Sequence, residues 1–241
     1  MINIIEYILD ILFPKRCIIC SKTLKAGCEI SICHNCHNDM LLKFHNPSLP
    51  EGRFFGQYMF CLPYIDAIKE SVRCLKFKNQ YTLAKTFGYV MAEKLKCEDV
   101  GYIDYVVPVP ISYMRKRDRG YNQTELITQE LCKITGLKMN KEIIEKIKEI
   151  PPLSSMNKSQ RAKMVKGAYK VSSDVKGMRI LLTDDIYTTG STVNECARVL
   201  IKNGAKEVKV LTLCTGVTND EARIYRDVVN ENSPKKFFDL F

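Results

Sequence analysis

The sequence predicts an α/β fold, a parallel sheet with helices, carrying a small metal-binding module at its N-terminus. Three observations lead there. From about residue 64 onward, short apolar runs of strand type alternate with stretches of helical periodicity, the pattern of strands joined by crossover helices. One strand–turn–helix unit, Ile180 to Thr192, ends in two adjacent carboxylates and a turn of Thr, Ser and Gly. Near the other end, Cys17-x-x-Cys20 and Cys33-x-x-Cys36 stand twelve residues apart.

Residues 1–16 read as an amphipathic helix ended by Pro14, with Ile5, Ile8, Leu9 and Leu12 on one face. It is too short to span a bilayer, and Glu6 and Asp10 interrupt it, so no stable membrane span is expected; the helix should pack on the main domain, with binding at a membrane surface as the alternative. Residues 17–45 form the metal module, and 46–63, with Pro47, Pro50, Gly52 and Gly56, a linker or short-strand passage. The main domain covers 64–241. It opens with helices from Ile65 to Phe77 and from Tyr81 to Lys96, the second with Leu83, Phe87, Val90, Met91 and Leu95 at helical spacing. A strand over 104–110 is closed by Pro108 and Pro110, which a central ladder would not accept. After a basic loop comes a helix from Asn122 to Thr135, with Gly136 to end it, and then a weak helix near 141–147. A basic segment follows Pro151-Pro152. The motif strand runs over 179–184, its helix over 192–203, and a last strand over 207–214, ahead of a polar tail.

The unit from Ile180 to Thr192 suits a phosphorylated sugar. Amides of the turn and of the helix N-terminus make an anion cradle, to which Thr188, Thr189, Ser191 and Thr192 add hydroxyls. Gly190 admits close approach and a positive φ. Asp184 and Asp185 stand at the carboxyl end of a strand, where open sheets bind ligands. There they can accept hydrogen bonds from vicinal ribose hydroxyls or hold Mg²⁺ through water. The unit resembles the 5-phosphoribosyl-1-pyrophosphate (PRPP) motif of type I phosphoribosyltransferases. That resemblance implies a 5′-phosphate in the turn and ribose hydroxyls on the two aspartates.

Two CxxC knuckles can place four thiolates around one zinc ion in a closed structural site of zinc-ribbon type, with a dithiol redox switch as the competing reading. Cys28, His34 and His37 are close enough in sequence to be alternative ligands, with His34 expected to point away. Eleven cysteines, an odd number in a long chain without a secretory signal, fit a reducing cytoplasm rather than a disulfide scaffold. Most of the others should be small buried apolar residues.

Net charge is +10, from 37 Lys and Arg against 27 Asp and Glu, which favours an acidic partner. The excess is clustered. Residues 113–121 carry Arg115, Lys116, Arg117 and Arg119 against one acid, and 157–170 carry Lys158, Arg161, Lys163, Lys166 and Lys170 against none. Tyrosines lie beside both clusters, which suits single-stranded nucleic acid and equally a pyrophosphate. In phosphoribosyl transfer, Arg115, Lys116, Arg117 or Arg119 would neutralise the leaving group and Arg161 would sit on a closing loop, with general nucleic-acid contact as the equal alternative for these residues.

Several elements recur in one order: Phe13-Pro14, the double CxxC, Leu75-Lys76-Phe77, Val107-Pro108-Val109-Pro110, Arg119-Gly120-Tyr121-Asn122-Gln123, Arg161 with Gly167-Ala168-Tyr169, and the Asp-Asp-x-x-Thr-Thr-Gly unit. Together they resemble the ComF family of competence proteins. The family has an N-terminal zinc finger on a phosphoribosyltransferase-type domain, and often an Asn where this chain has Met164. The resemblance implies a cytoplasmic role in handling single-stranded DNA during natural transformation. Three readings follow: a DNA-binding competence protein with a PRPP or 5′-phosphate site, an active phosphoribosyltransferase of unidentified acceptor, and an adaptor for other DNA-uptake or recombination proteins. A base-recognition hood is not evident. Replacing Asp184 and Asp185 together is expected to leave thermal stability nearly unchanged, as for exposed acids.

Overall fold

The computed structural model describes residues 4–43, 51–151 and 157–216; the expected tail and the last two residues of the metal module lie outside them. Four parallel strands form the main sheet, β1 (Gln57–Pro63), β2 (Tyr105–Pro108), β5 (Arg179–Tyr187) and β6 (Glu207–Thr215), in the order β1-β6-β5-β2. β2, with its prolines, is an edge strand, and the chain at Lys138–Asn140 adds to it through Val106. A separate antiparallel pair, β3 (Ile144–Lys146) and β4 (Tyr169–Val171), stands beside the sheet.

Successive residues of the two central strands divide between two cores, because side chains alternate across a strand. Leu181, Leu211 and Leu213 pack with α3 (Asp66–Phe77), α4 (Thr82–Lys96) and α6 (Gln123–Thr135). Ile180, Leu182, Val208 and Val210 pack with α8 (Ser191–Lys202) and the β3–β4 pair. The N-terminal module joins the first core directly. Cys17, Ile18, Ile19, Cys20 and Cys36 are buried with Leu83, Phe87 and Val90 of α4, and the Ser31 amide donates to Thr86 Oγ1 at 3.0 Å.

One open reading is settled and three expectations are corrected. Of the passage over 46–63, read as a linker or short strand, Gln57–Pro63 is a sheet strand: Tyr58 to Leu62 is an unbroken apolar run of the kind buried on both faces. The weak helix near 141–147 is β3, because Ile143 and Ile144 pack into the second core while the backbone pairs with β4. The basic loop after β2 is in part a helix, α5 (Tyr113–Arg119), closed by Gly120 at φ 81°. The N-terminal helix α1 (Ile4–Leu12) does not bury its apolar face: Ile8, Leu9 and Leu12 are about half exposed or more. What holds α1 is polar, through Asp10, which accepts from the Gly27 amide at 2.9 Å and pairs with Lys15 at 3.2 Å. The remaining helices are α2 (His34–Lys43) and α7 (Lys158–Val165). Among the described residues, no helix is long and apolar enough to cross a membrane.

Candidate functional site

The motif strand runs three residues further than its apolar pattern suggests, through Tyr187, so Asp184 and Asp185 lie within β5 and face opposite ways. Asp185 turns to the α3–α6 side and is 6 % exposed. There its Oδ2 meets Lys76 Nζ at 2.5 Å and accepts from Gln123 Nε2 at 3.0 Å. Burial alone would raise its pKa, but Lys76, Gln123 and Arg119 together hold it below the ordinary range. Asp184, half-buried, turns the other way. Burial, and then the Asp185 charge beside it, push its carboxyl up to about 8.

The Arg-Gly-Tyr-Asn-Gln run builds this corner residue by residue. Gly120 takes the left-handed turn that ends α5. Tyr121 donates its hydroxyl to the Leu75 carbonyl. Asn122 caps α6 by accepting from the Thr124 amide at 3.0 Å, while its own amide reaches the Val109 carbonyl at 3.1 Å. Gln123 then presents its amide to Asp185 and takes a hydrogen bond from Arg119 on its oxygen. Arg119 is half-buried, with its guanidinium over the Phe77 ring.

On the other flank the turn from Thr188 to Thr192 leads into α8. Gly190 caps the helix at φ 70°, and a Cβ there would run into the Tyr187 ring. Gly190 offers no side-chain cap, and although the Ser191 amide reaches Thr189 Oγ1 at 3.4 Å, the Thr192 and Val193 amides are left for a ligand. Thr188 and Thr192 line the cavity, whereas the Thr189 and Ser191 hydroxyls bond each other at 2.9 Å. Arg53 adds a hydrogen bond to the Thr189 carbonyl at 3.1 Å. The cavity, about 400 Å³, lies between these flanks and the segment carrying β3, α7 and β4. Five cations line it (Lys76, Arg115, Arg119, Lys146 and Arg161) against the two aspartates. Arg161 spans to Thr188 Oγ1 at 3.0 Å.

Of the cationic candidates, Arg115, Arg119 and Arg161 face this cavity. Lys116 and Arg117 are exposed on α5 beside Glu125 and Asp118, and Lys163 and Lys166 are exposed on or just after α7. The Lys158 side chain lies outside the described residues. Sequence reasoning missed Lys76, Gln123 and Lys146 as site residues. The first two stood inside quoted motifs without a role. Lys146 had no local signal, and reaches the cavity because β3 pairs with Tyr169 of β4, another lining residue.

The four cysteine sulfurs lie within 4.8 Å of one another, with Cys20 and Cys33 3.8 Å apart. A tetrahedral zinc with bonds of about 2.3 Å needs sulfurs about 3.8 Å apart, so the cluster fits the ion. Four thiols this close cannot all ionise unaided. The Cys36 hydrogen bond holds Cys17 down at about 5, the same contact pushes Cys36 far up, and burial pushes Cys20 to about 11. A divalent cation removes that conflict. His34 is exposed, and His37 bonds the Tyr89 hydroxyl at 2.9 Å, so neither belongs to the cluster. Of the other cysteines, Cys61, Cys196 and Cys214 are buried, Cys28, Cys74 and Cys132 partly so, and Cys97 is exposed.

The environment of Asp184 has a consequence for stability. An unfolded chain releases this proton near 3.8, the folded one near 8. Between those values the folded state holds the extra proton, so stability should fall as pH rises across the window. Asp184→Asn should flatten that fall, measured as melting temperature against pH. Parallel curves for variant and wild type would reject the assignment.

A family model described as the phosphoribosyl transferase domain matches residues 83–239, more than half of the chain. Three relatives extend the likeness. A DNA utilization protein, YhgH, of Salmonella typhi is 26% identical over 208 residues, covering 82% of this chain and 89% of its own. Competence protein F of Haemophilus influenzae is 25% identical over 219 residues, covering 82% and 96%. Competence protein ComFC of Streptococcus pneumoniae is 34% identical over 151 residues, covering 62% and 64%. The chain therefore belongs to the phosphoribosyl transferase domain family.

Proposed function

We propose that the protein binds a phosphoribosyl ligand such as PRPP in the cavity, binds single-stranded DNA on the adjoining cationic surface, and serves DNA uptake in the cytoplasm. The supporting observation is one cavity holding an uncapped helix N-terminus, two carboxylates in different environments and five cations. The turn at Thr188–Thr192 would take the 5′-phosphate. Asp184 and Asp185 would take the ribose hydroxyls, with Mg²⁺ held through water on the same carboxylates. Arg115, Lys146 and Arg161 suit the pyrophosphate, in number and in sign. The names of the relatives, competence and DNA utilization, support the DNA role. Zinc in the four-cysteine cluster would be structural. The module's exposed side is where other uptake or recombination proteins would dock.

Two titrations test this reading. Calorimetry with PRPP and Mg²⁺ should give saturable binding, weakened at least tenfold in Arg161→Ala. Fluorescence anisotropy with labelled single-stranded DNA should give binding whose logarithm falls linearly with log[salt], as several phosphates displace counterions. Heat without DNA binding would favour a small-molecule enzyme, which pyrophosphate release on addition of an acceptor would establish. Neither heat nor DNA binding would reject both parts.

A further inference from the structure

We propose that Phe77, Tyr81 and Tyr121, with the Arg119 guanidinium, form a stacking shelf for an unpaired nucleobase at the rim of the cavity. The proposal rests on the DNA-binding reading above and assigns it a place. α3 ends at Phe77, and the chain reverses through Asn79, at φ 54°, to start α4. The reversal brings Tyr81 back beside Tyr121, their rings 4.8 Å apart and edge-on at 71°. Tyr121 is fixed in turn by its hydroxyl on the Leu75 carbonyl, two residues before Phe77. The Arg119 guanidinium lies 5.1 Å from the Phe77 ring centre.

A single exposed aromatic residue is ordinary on a protein surface. Here Phe77 is 69 % exposed and Tyr81 50 %, and each is held by a partner, Phe77 under the Arg119 guanidinium and Tyr81 against Tyr121, two residues along from Arg119. Arg119 also lines the cavity and bonds Gln123, which holds Asp185, so the shelf and the sugar site share a residue. Arg73 and Lys78, each about 60% exposed on its side chain, flank Phe77 on the same stretch of chain and share Glu70. Aromatic faces beside cations are what a single strand needs: a flat surface for each unstacked base and positive charge for its backbone.

The test compares a 5′-phosphorylated oligothymidylate with an abasic strand of equal phosphate number, both titrated by anisotropy into the zinc-loaded full chain at one salt concentration. The oligothymidylate should bind at least about fivefold more tightly, the lower end of what one stacked base contributes. Phe77→Ala should erase that advantage and leave abasic binding unchanged, while Phe77→Trp should keep it. Because Phe77 is exposed, Phe77→Ala should melt with the wild type. Equal affinities for the two strands, or an advantage that survives Phe77→Ala, would overturn the shelf and leave DNA binding standing. If neither strand binds at low salt, the DNA reading itself fails and the shelf with it.

Discussion

At pH 7.5, Asp185→Asn is expected to lower the melting temperature and Asp184→Asn to raise it, while each removes phosphoribosyl binding. Asp185 is the counter-charge of Lys76, whose side chain is only 16% exposed, and Arg119 lies near it. Taking away one partner of a buried pair costs about 3–5 kcal/mol, the lower end where the other can still reach water. At about 2–4 °C per kcal/mol for a chain of this size, a cost of about 3 kcal/mol should make Asp185→Asn melt about 6–12 °C early. Asp184 has no such partner, and at neutral pH folding holds it protonated against its ordinary tendency to ionise. Asn keeps the shape and removes that cost, so a gain of a few degrees is expected. Acid removes the difference, because Asp184 is then protonated in the unfolded chain as well and its cost disappears. Asp185 stabilises only while ionised, and its contribution is lost as pH falls through its lowered value. Calorimetric melting of the two single variants decides the matter, and shifts of the same sign would reject this account of the pair. The double variant is uninformative, because the opposed effects partly cancel. The expectation of an unchanged melting temperature treated both acids as exposed; Asp185, at 6 %, is not.

Cys36→Ser is expected to be the most destabilising single replacement in the N-terminal module. Cys36 is wholly buried, a member of the sulfur cluster and within the core shared with α4. Structural zinc sites contribute about 10–16 kcal/mol in isolated finger peptides, and loss of even a third of that would lower melting by about 10 °C or more. Because Ile18, Ile19 and the cysteines cover Leu83, Phe87 and Val90, the loss should extend beyond the module and expose the α4 face. Metal content by atomic absorption, melting temperature and binding of an apolar dye should therefore change together, and a strong chelator should reproduce the variant. Full metal content with wild-type melting in Cys36→Ser would show that the cluster holds no structural ion.

Local chemistry was legible in the sequence wherever neighbours in the chain are also neighbours in space. The CxxC pairs, the Asp-Asp turn with Gly190, and Asn122 and Gly136 at the two ends of α6 act within a few residues, so spacing alone reported them. The alternation of strand and helix likewise yielded the parallel α/β class. The sequence misled where burial decided. Residues 144–146, read as helix, became a strand because β4 lies beside them, and the passage left open between linker and short strand became one at Tyr58 to Leu62 because β6 does. The helix α1 kept its apolar face exposed, although its periodicity is that of a packed helix.

The sequence by itself determined which groups this protein can bring to a ligand: two carboxylates at a strand end, a hydroxyl-rich turn, four thiols and an excess of cations. Only the tertiary structure decided how those groups differ. Lys76 and Gln123 arrive on helices more than sixty residues away from Asp185, and strand geometry turns Asp184 from them. Adjacent identical side chains thus enter opposite faces of one sheet, and their charges are governed by what packs on each face rather than by the chain that joins them.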